Sequence, residues 1–234
     1  NTAGNQNVAV GSNALDAITT ASDNTAVGSG ALGANTTGTQ NTGLGRAALN
    51  ANTTADANTG VGYYALVSNT TGTRNTATGS GSLDANTTGD DNTAAGHASL
   101  SGNTTGDQNT AVGRAALNAN TTASNNTAVG YYALLSNTTG TRNIAIGAYA
   151  LDANTDQNDN IAIGYEALTS AAASGANNEN IAIGSYALKN TNSSSSGDSI
   201  QNVAIGNQAM EENTSGYRNV AIGYRAFELN QTQN

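Results

Sequence analysis

Cysteine, proline and tryptophan are absent from the 234 residues, and methionine, phenylalanine and histidine occur once each, as Met210, Phe227 and His97. Without cysteine there is no disulfide framework and no thiolate metal site. Aromatics make up 4% of the chain and charged residues 10%, so the large side chains that fill a conventional globular core are missing although the length would allow one. No apolar run is long enough for a membrane-spanning helix. Positive charge is scarce, with 7 Lys and Arg against 16 Asp and Glu. The net charge of −9 argues against nucleic acid and anionic lipid surfaces as partners. By composition alone, a chain this rich in Asn, Thr, Ser and Gly reads as disordered. Order has to come from repetition.

The repetition is there. Units of 17 residues begin at Asn7, Asn24, Asn41, Asn58, Asn75, Asn92, Asn109, Asn126, Asn143 and Asn160, and three more begin at Asn180, Asn202 and Asn219 after spacings of 20, 22 and 17. A longer period lies on top: NTGLGRAALNANTT at Asn41 matches NTAVGRAALNANTT at Asn109, four units later, as expected of a duplicated block. Position 1 is Asn and position 5 is Gly in all 13 units. Position 3 is always Ala or Gly, position 8 always Ala or Ser, and position 9 is Leu until Met210 and Phe227 replace it. The extra residues of the longer spacers follow position 9, which marks a surface loop between coils.

A period of this length repeated this often predicts an all-β parallel β-solenoid (a β-roll) of about 13 coils, one continuous repetitive domain over residues 1–234. Opening on Asn1, the chain is expected to be part of a longer protein. Asn-Thr-Ala-Val-Gly reads as a short strand. Its β-branched residues at positions 2 and 4 are expected to point inward with the position 9 Leu. Positions 3 and 5 then form a smooth outer face of Ala and Gly through which copies associate. The following segment, such as YYALLS at Tyr131, is a second strand or one helical turn. Stacking lays like on like: an Asn ladder (Asn24, Asn41, Asn58), a Gly column at a corner needing positive φ (Gly28, Gly45, Gly62) and a Leu column (Leu32, Leu49, Leu66). One coil buries too little to be stable alone, so a stack is required.

The repeat, as NVAVGSNAL at Asn7, NIAIGAYAL at Asn143 and NVAIGYRAF at Asn219, resembles the head repeats of trimeric autotransporter adhesins of the YadA type. It is similar also to the NTAVGxxALxxNTTG repeats of phage tail-fibre-like proteins and large bacterial surface fibres. The likeness runs from Asn7 to Phe227. It implies a left-handed roll, three chains about one axis and an adhesive or shaft role at a cell or virion surface. The 17-residue unit departs from the autotransporter head, where the NTTG turn has no counterpart.

Other features each carry a sharp and a bland reading. Asn35, Asn52, Asn69, Asn86, Asn103, Asn120 and Asn137 open N-x-Thr sequons, and Asn192, Asn213 and Asn230 add three more; they signal either a column of glycans or plain turn chemistry. The position 2 threonines Thr25 to Thr127 would order water like an ice-binding face only if they pointed outward. Tyr63, Tyr64, Tyr131, Tyr132, Tyr149, Tyr165, Tyr186, Tyr217 and Tyr224 suit packing, or stacking on sugars. Asp152, Asp156 and Asp159 lack the spacing of known calcium loops and read as a solvated loop. His97 has no partner in the repeat that would make it a metal ligand or a base. No catalytic set, metal site or cofactor motif can be assembled, so enzyme activity is not expected. The function expected is the shaft or adhesive head of an extracellular fibre that acts by multivalent contact with itself and with a host-cell, matrix or glycan surface, without nucleic acid or membrane insertion. The rivals are a self-assembling end-to-end filament and an ice-binding solenoid.

Overall fold

A computed structural model describes residues 4–169, 179–191, 200–213 and 216–230. The chain clusters as two compact units, Asn1–Ala115 and Ala116–Asn234. Each is an all-β parallel solenoid with one three-residue strand per coil, and no helix forms among the described residues. The first unit holds β1 (Val8–Val10), β2 (Thr25–Val27), β3 (Thr42–Leu44), β4 (Thr59–Val61), β5 (Thr76–Thr78), β6 (Thr93–Ala95) and β7 (Thr110–Val112). The second holds β8 (Thr127–Val129), β9 (Ile144–Ile146), β10 (Ile161–Ile163), β11 (Ile181–Ile183), β12 (Val203–Ile205) and β14 (Val220–Ile222), with a small side pair of β13 (Glu212–Asn213) and β15 (Leu229–Asn230). Within each unit every strand pairs in parallel with the same position of the next coil, Thr25 to Thr42 to Thr59 in one and Ile144 to Ile161 to Ile181 in the other. The strands on either side of the 20-residue and 22-residue spacings keep this register.

The inside of the coil is not where hydrophobicity places it. Position 3 is buried in both units, with Ala26, Ala77, Ala94, Ala145 and Ala162 fully inaccessible, while positions 2 and 4 are half-buried or exposed. The expected inward direction of the β-branched residues is therefore reversed, and the smooth Ala/Gly face expected outside does not exist. The reason is width. A Cβ on Gly43 would sit 3.1 Å from the Ala48 carbonyl oxygen and 3.4 Å from Leu32 Cγ, so nothing larger than Ala fits between the strand and the opposite wall. The interior is filled by Ala at positions 3 and 8, Leu at position 9 and Asn at positions 1 and 12.

The segment after the strand is neither a strand nor a helical turn. It is a chain of tight turns, closed within the coil by Ala31 N–H to Gly28 O (3.2 Å), Gly33 N–H to Gly30 O (3.2 Å) and Asn35 N–H to Leu32 O (3.2 Å). The intervening N–H groups donate to neighbouring coils, Gly30 to Ser12 O at 2.8 Å and Leu32 to Ala48 O at 2.9 Å, so backbone donors are satisfied alternately within and between coils. This geometry puts Leu32, Leu49 and Leu66 at φ of 50°, 54° and 53°, a left-handed conformation costing an L-residue roughly 1–2 kcal/mol. Leu is retained there because its side chain fills the centre of the coil, where all three are fully buried.

The asparagine ladder runs as expected, with one refinement. Asn24 Oδ1 accepts the backbone N–H of Asn41 (3.0 Å), and Asn41 Oδ1 accepts that of Asn58 (2.9 Å). Each Nδ2 caps the position 15 carbonyl of its own coil, Asn24 on Gly38 (2.9 Å) and Asn58 on Gly72 (2.8 Å). The side chain thus serves backbone groups at a corner more than it serves other amides. At the glycine corner the coils nearly touch: Gly62 has φ +140°, and a Cβ there would lie 2.6 Å from the Gly79 carbonyl carbon. Gly28 and Gly45 hold the same strained corner.

Gly62→Ala is therefore expected to destabilise its unit by about 3 kcal/mol or more. A lower midpoint in circular dichroism melts and faster amide exchange over residues 58–79 would register it. An unchanged melt would mean that the corner is looser than described.

Candidate functional surface

What each unit offers is a repeated surface. Its first part is the outer side of the strands. In the first unit this carries Thr25, Thr42, Thr59, Thr76, Thr93 and Thr110 at position 2, beside Val27, Leu44, Val61, Thr78, Ala95 and Val112 at position 4. In the second unit, after Thr127 and Val129, it carries Ile144, Ile146, Ile161, Ile163, Ile181, Ile183, Val203, Ile205, Val220 and Ile222. Of these, Ile144, Ile146, Ile205, Val220 and Ile222 are exposed, Ile146 at 39% and Ile222 at 69%, and the others are half-buried. No charged residue occupies position 2 or 4 in any unit of the repeat.

The second part is an aromatic column in the unit Ala116–Asn234, from side chains at positions 6 and 7. Tyr131 meets Tyr132 and Tyr149 at ring-centroid distances of 4.0 and 5.4 Å, Tyr149 meets Tyr165 at 6.2 Å and Tyr165 meets Tyr186 at 5.4 Å. The last three contacts are edge-to-face, a favoured aromatic geometry. Tyr149, Tyr165, Asp152, Glu166 and Thr169 line a cleft of about 420 Å³. Glu166 forms an ion pair with Lys189 (2.7 Å), which holds the carboxyl below its ordinary range. The neighbouring Glu166 carboxylate pushes the Tyr165 phenol up to about 12. Burial pushes Asp152 up, and the nearby Glu166 adds to the effect. In the first unit Tyr63 and Tyr64 pack edge to face at 4.2 Å beneath Arg46.

The third part is the charged edge at positions 16 and 17. Arg74 and Arg142 each grip the aspartate 17 residues ahead through two bonds, to Asp91 at 2.6 and 2.9 Å and to Asp159 at 2.6 and 2.8 Å. These hydrogen bonds hold both carboxyls below their usual range. Asp152, Asp156 and Asp159 are not brought together: Asp152 lines the cleft, Asp156 accepts from Thr155 Oγ1 (3.3 Å) and Asp159 is taken by Arg142. His97 is exposed on a turn. Among the described residues no group of three His, Cys, Asp or Glu side chains gathers to hold a metal ion.

Of the two readings of the sequons, these side chains fit turn chemistry. Asn35, Asn52, Asn69, Asn86, Asn103, Asn120 and Asn137 are all fully buried. Their Nδ2 atoms, where a glycan would attach, are committed: Asn69 Nδ2 donates to Asn52 Oδ1 (3.1 Å) and Gly72 O (2.8 Å), Asn86 to Asn69 Oδ1 (2.8 Å), and Asn137 to Asn120 Oδ1 (3.0 Å). These residues are a second internal amide ladder. A glycan on any of them would withdraw the nitrogen from these bonds. Asn213 is likewise buried on Gly216 O (2.9 Å), while Asn192 and the side chain of Asn230 lie outside the described residues. The sequence signal for this ladder was the same as for the first, an Asn recurring every 17 residues, but the sequon pattern covered it.

No family model matches the chain, and neither a curated protein nor a solved structure matches it.

Asn69→Ala, which removes one of the two donors to Gly72 O and breaks the buried amide ladder between Asn52 and Asn86, is expected to cost about 1–3 kcal/mol, whereas Thr71→Ala, which destroys the same sequon on an exposed hydroxyl, stays within about 0.5 kcal/mol. Paired urea melts check this; equal losses would remove the buried ladder from the account.

Proposed function

We propose that this chain is a structural and adhesive segment of an extracellular fibre, a surface adhesin head or tail-fibre shaft, whose copies associate through the outer side of the strands. The observation that carries the reading is the uncharged aliphatic ladder facing out of the coil, with Ile144, Ile146, Ile205, Val220 and Ile222 exposed on the second unit. Exposed aliphatic surface of that continuity marks an interaction site, and absence of charge is the mark of an interface centre. The resemblance to trimeric autotransporter heads supports three copies about one axis. The tyrosine column and the charged edge then remain for contact with a cell, matrix or glycan surface, at one weak contact per coil summed by avidity. Catalysis plays no part in this reading.

The outward threonines favour a second reading. An ice-binding column at position 2 requires threonines that face outward, and Thr25 to Thr110 do so in strict register. Against it, position 4 varies among Val, Leu, Thr and Ala, and isoleucine replaces threonine in the second unit, so the surface lacks a uniform hydroxyl array. Thermal hysteresis in the purified protein would favour this reading.

Sedimentation velocity is expected to give a trimer at micromolar concentration. The double substitution Ile163→Lys and Ile183→Lys is expected to convert it to monomer with an unchanged far-ultraviolet spectrum. A wild-type monomer would refute association through this face, and long polymers in negative-stain images would replace the trimer with a filament.

A further inference from the structure

We propose that the cleft between Tyr149 and Tyr165, floored by Asp152, Glu166 and Thr169, is a binding site for a neutral pyranose at the end of a glycan. A pyranose has an apolar face of C–H groups and a rim of hydroxyls, so its recognition needs an aromatic surface with several fixed hydrogen-bonding oxygens beside it. The cleft supplies both. Tyr149 and Tyr165 stand edge to face at 87°, so two ring surfaces of different direction border one space of about 420 Å³, within the usual range for a small-molecule pocket. Asp152, Glu166 and the Tyr165 hydroxyl add the polar rim.

The charge balance selects a neutral ligand. Glu166 is already neutralised by Lys189 at 2.7 Å, and Lys189 in turn lies 4.7 Å from the centre of the Tyr186 ring. No cation in the cleft is therefore left over for the carboxylate of an acidic sugar, and Asp152 would repel one. Nor is the cleft a strong cation trap, since Glu166 is already paired with Lys189. What remains is a rim with oxygens fixed in place by existing bonds: Glu166 on the Lys189 ammonium at 2.7 Å, and Thr169 Oγ1 on the Lys189 carbonyl at 3.1 Å. Groups so fixed lose little freedom on binding. The first unit has no counterpart, because Tyr63 and Tyr64 sit beneath Arg46.

This proposal deepens the adhesive reading and rests on it for its biological role. Titration of the intact chain by saturation-transfer NMR, with the methyl glycosides of glucose, galactose, mannose and N-acetylglucosamine, is expected to show one or more binding with a Kd on the order of 1 mM. Tyr165→Ala is expected to weaken that binding at least tenfold, and Asp152→Asn several-fold, with unchanged circular dichroism. Tyr165→Phe, which keeps the ring and loses the hydroxyl, should fall between wild type and Tyr165→Ala. Choline and sialic acid serve as cationic and anionic probes. Binding of either one in place of the neutral glycosides, no binding at all, or equal binding by Tyr165→Ala overturns the proposal. A trimer that binds no sugar removes this site and leaves the fibre; a monomer that binds sugar removes the fibre and leaves the site.

Discussion

Everything in this structure depends on the buried asparagine side chain that reaches a backbone group of the neighbouring coil. A parallel solenoid has corners at which the backbone turns out of the strand ladder, and polar groups left there without partners would be costly. Asn is the short side chain that carries both a carbonyl and an amide. At position 1 its oxygen takes the N–H of the next coil while its nitrogen caps a carbonyl of its own coil, so one side chain settles two corner groups. The second column, at position 12, links amide to amide and caps the same carbonyl from the other side. Neither column works in a single coil, which is why the fold exists only as a stack.

Those two columns set the width of the interior. With two amides, an Ala from the strand and an Ala–Leu pair from the turns, the space is full, and only one large aliphatic per coil is admitted. The turns that bring that leucine to the centre hold it in a left-handed backbone conformation, an unusual place for a branched side chain. The conformation persists because every N–H around it is bonded, alternately within and between coils, and because the side chain has no other place to be buried. Glycine at position 5 answers a different demand: there the neighbouring carbonyl is so near that no Cβ can be present.

A narrow interior leaves the β-branched residues outside. That inversion turns what looks like core material into surface. An outer side with no charge over its whole repeat, threonine-rich in one unit and isoleucine-rich in the other, is the basis for reading this chain as an associating fibre segment. It also leaves the turn positions, where the tyrosines and charges cluster, as the surface available for other ligands. In the proposed reading association and recognition fall on different positions of the same coil, and side chains at either can vary along the chain without disturbing the amides and leucines that hold the stack.

The solenoid, its 17-residue coil, the parallel register and the Asn, Gly and Leu columns were all legible in the amino-acid order, because identity at every seventeenth residue has a physical meaning only if like stacks on like. The direction of the strands was not. A three-residue strand can alternate in either phase, and hydrophobicity chose the wrong one: Val27 and Ile146 look like core, Ala26 and Ala145 like filler. The strictness of positions 3 and 8, against the laxity of 2 and 4, was the better guide, since a narrow interior restricts size before it rewards hydrophobicity. The sequons stayed open between two readings for a related reason, as the same Asn-Thr-Thr serves an exposed glycan or a buried cap, and burial is not written locally. Sequence alone therefore determined what stacks on what; only the tertiary structure decided which side is inside, because that depends on the distance between walls set by residues far apart in the coil.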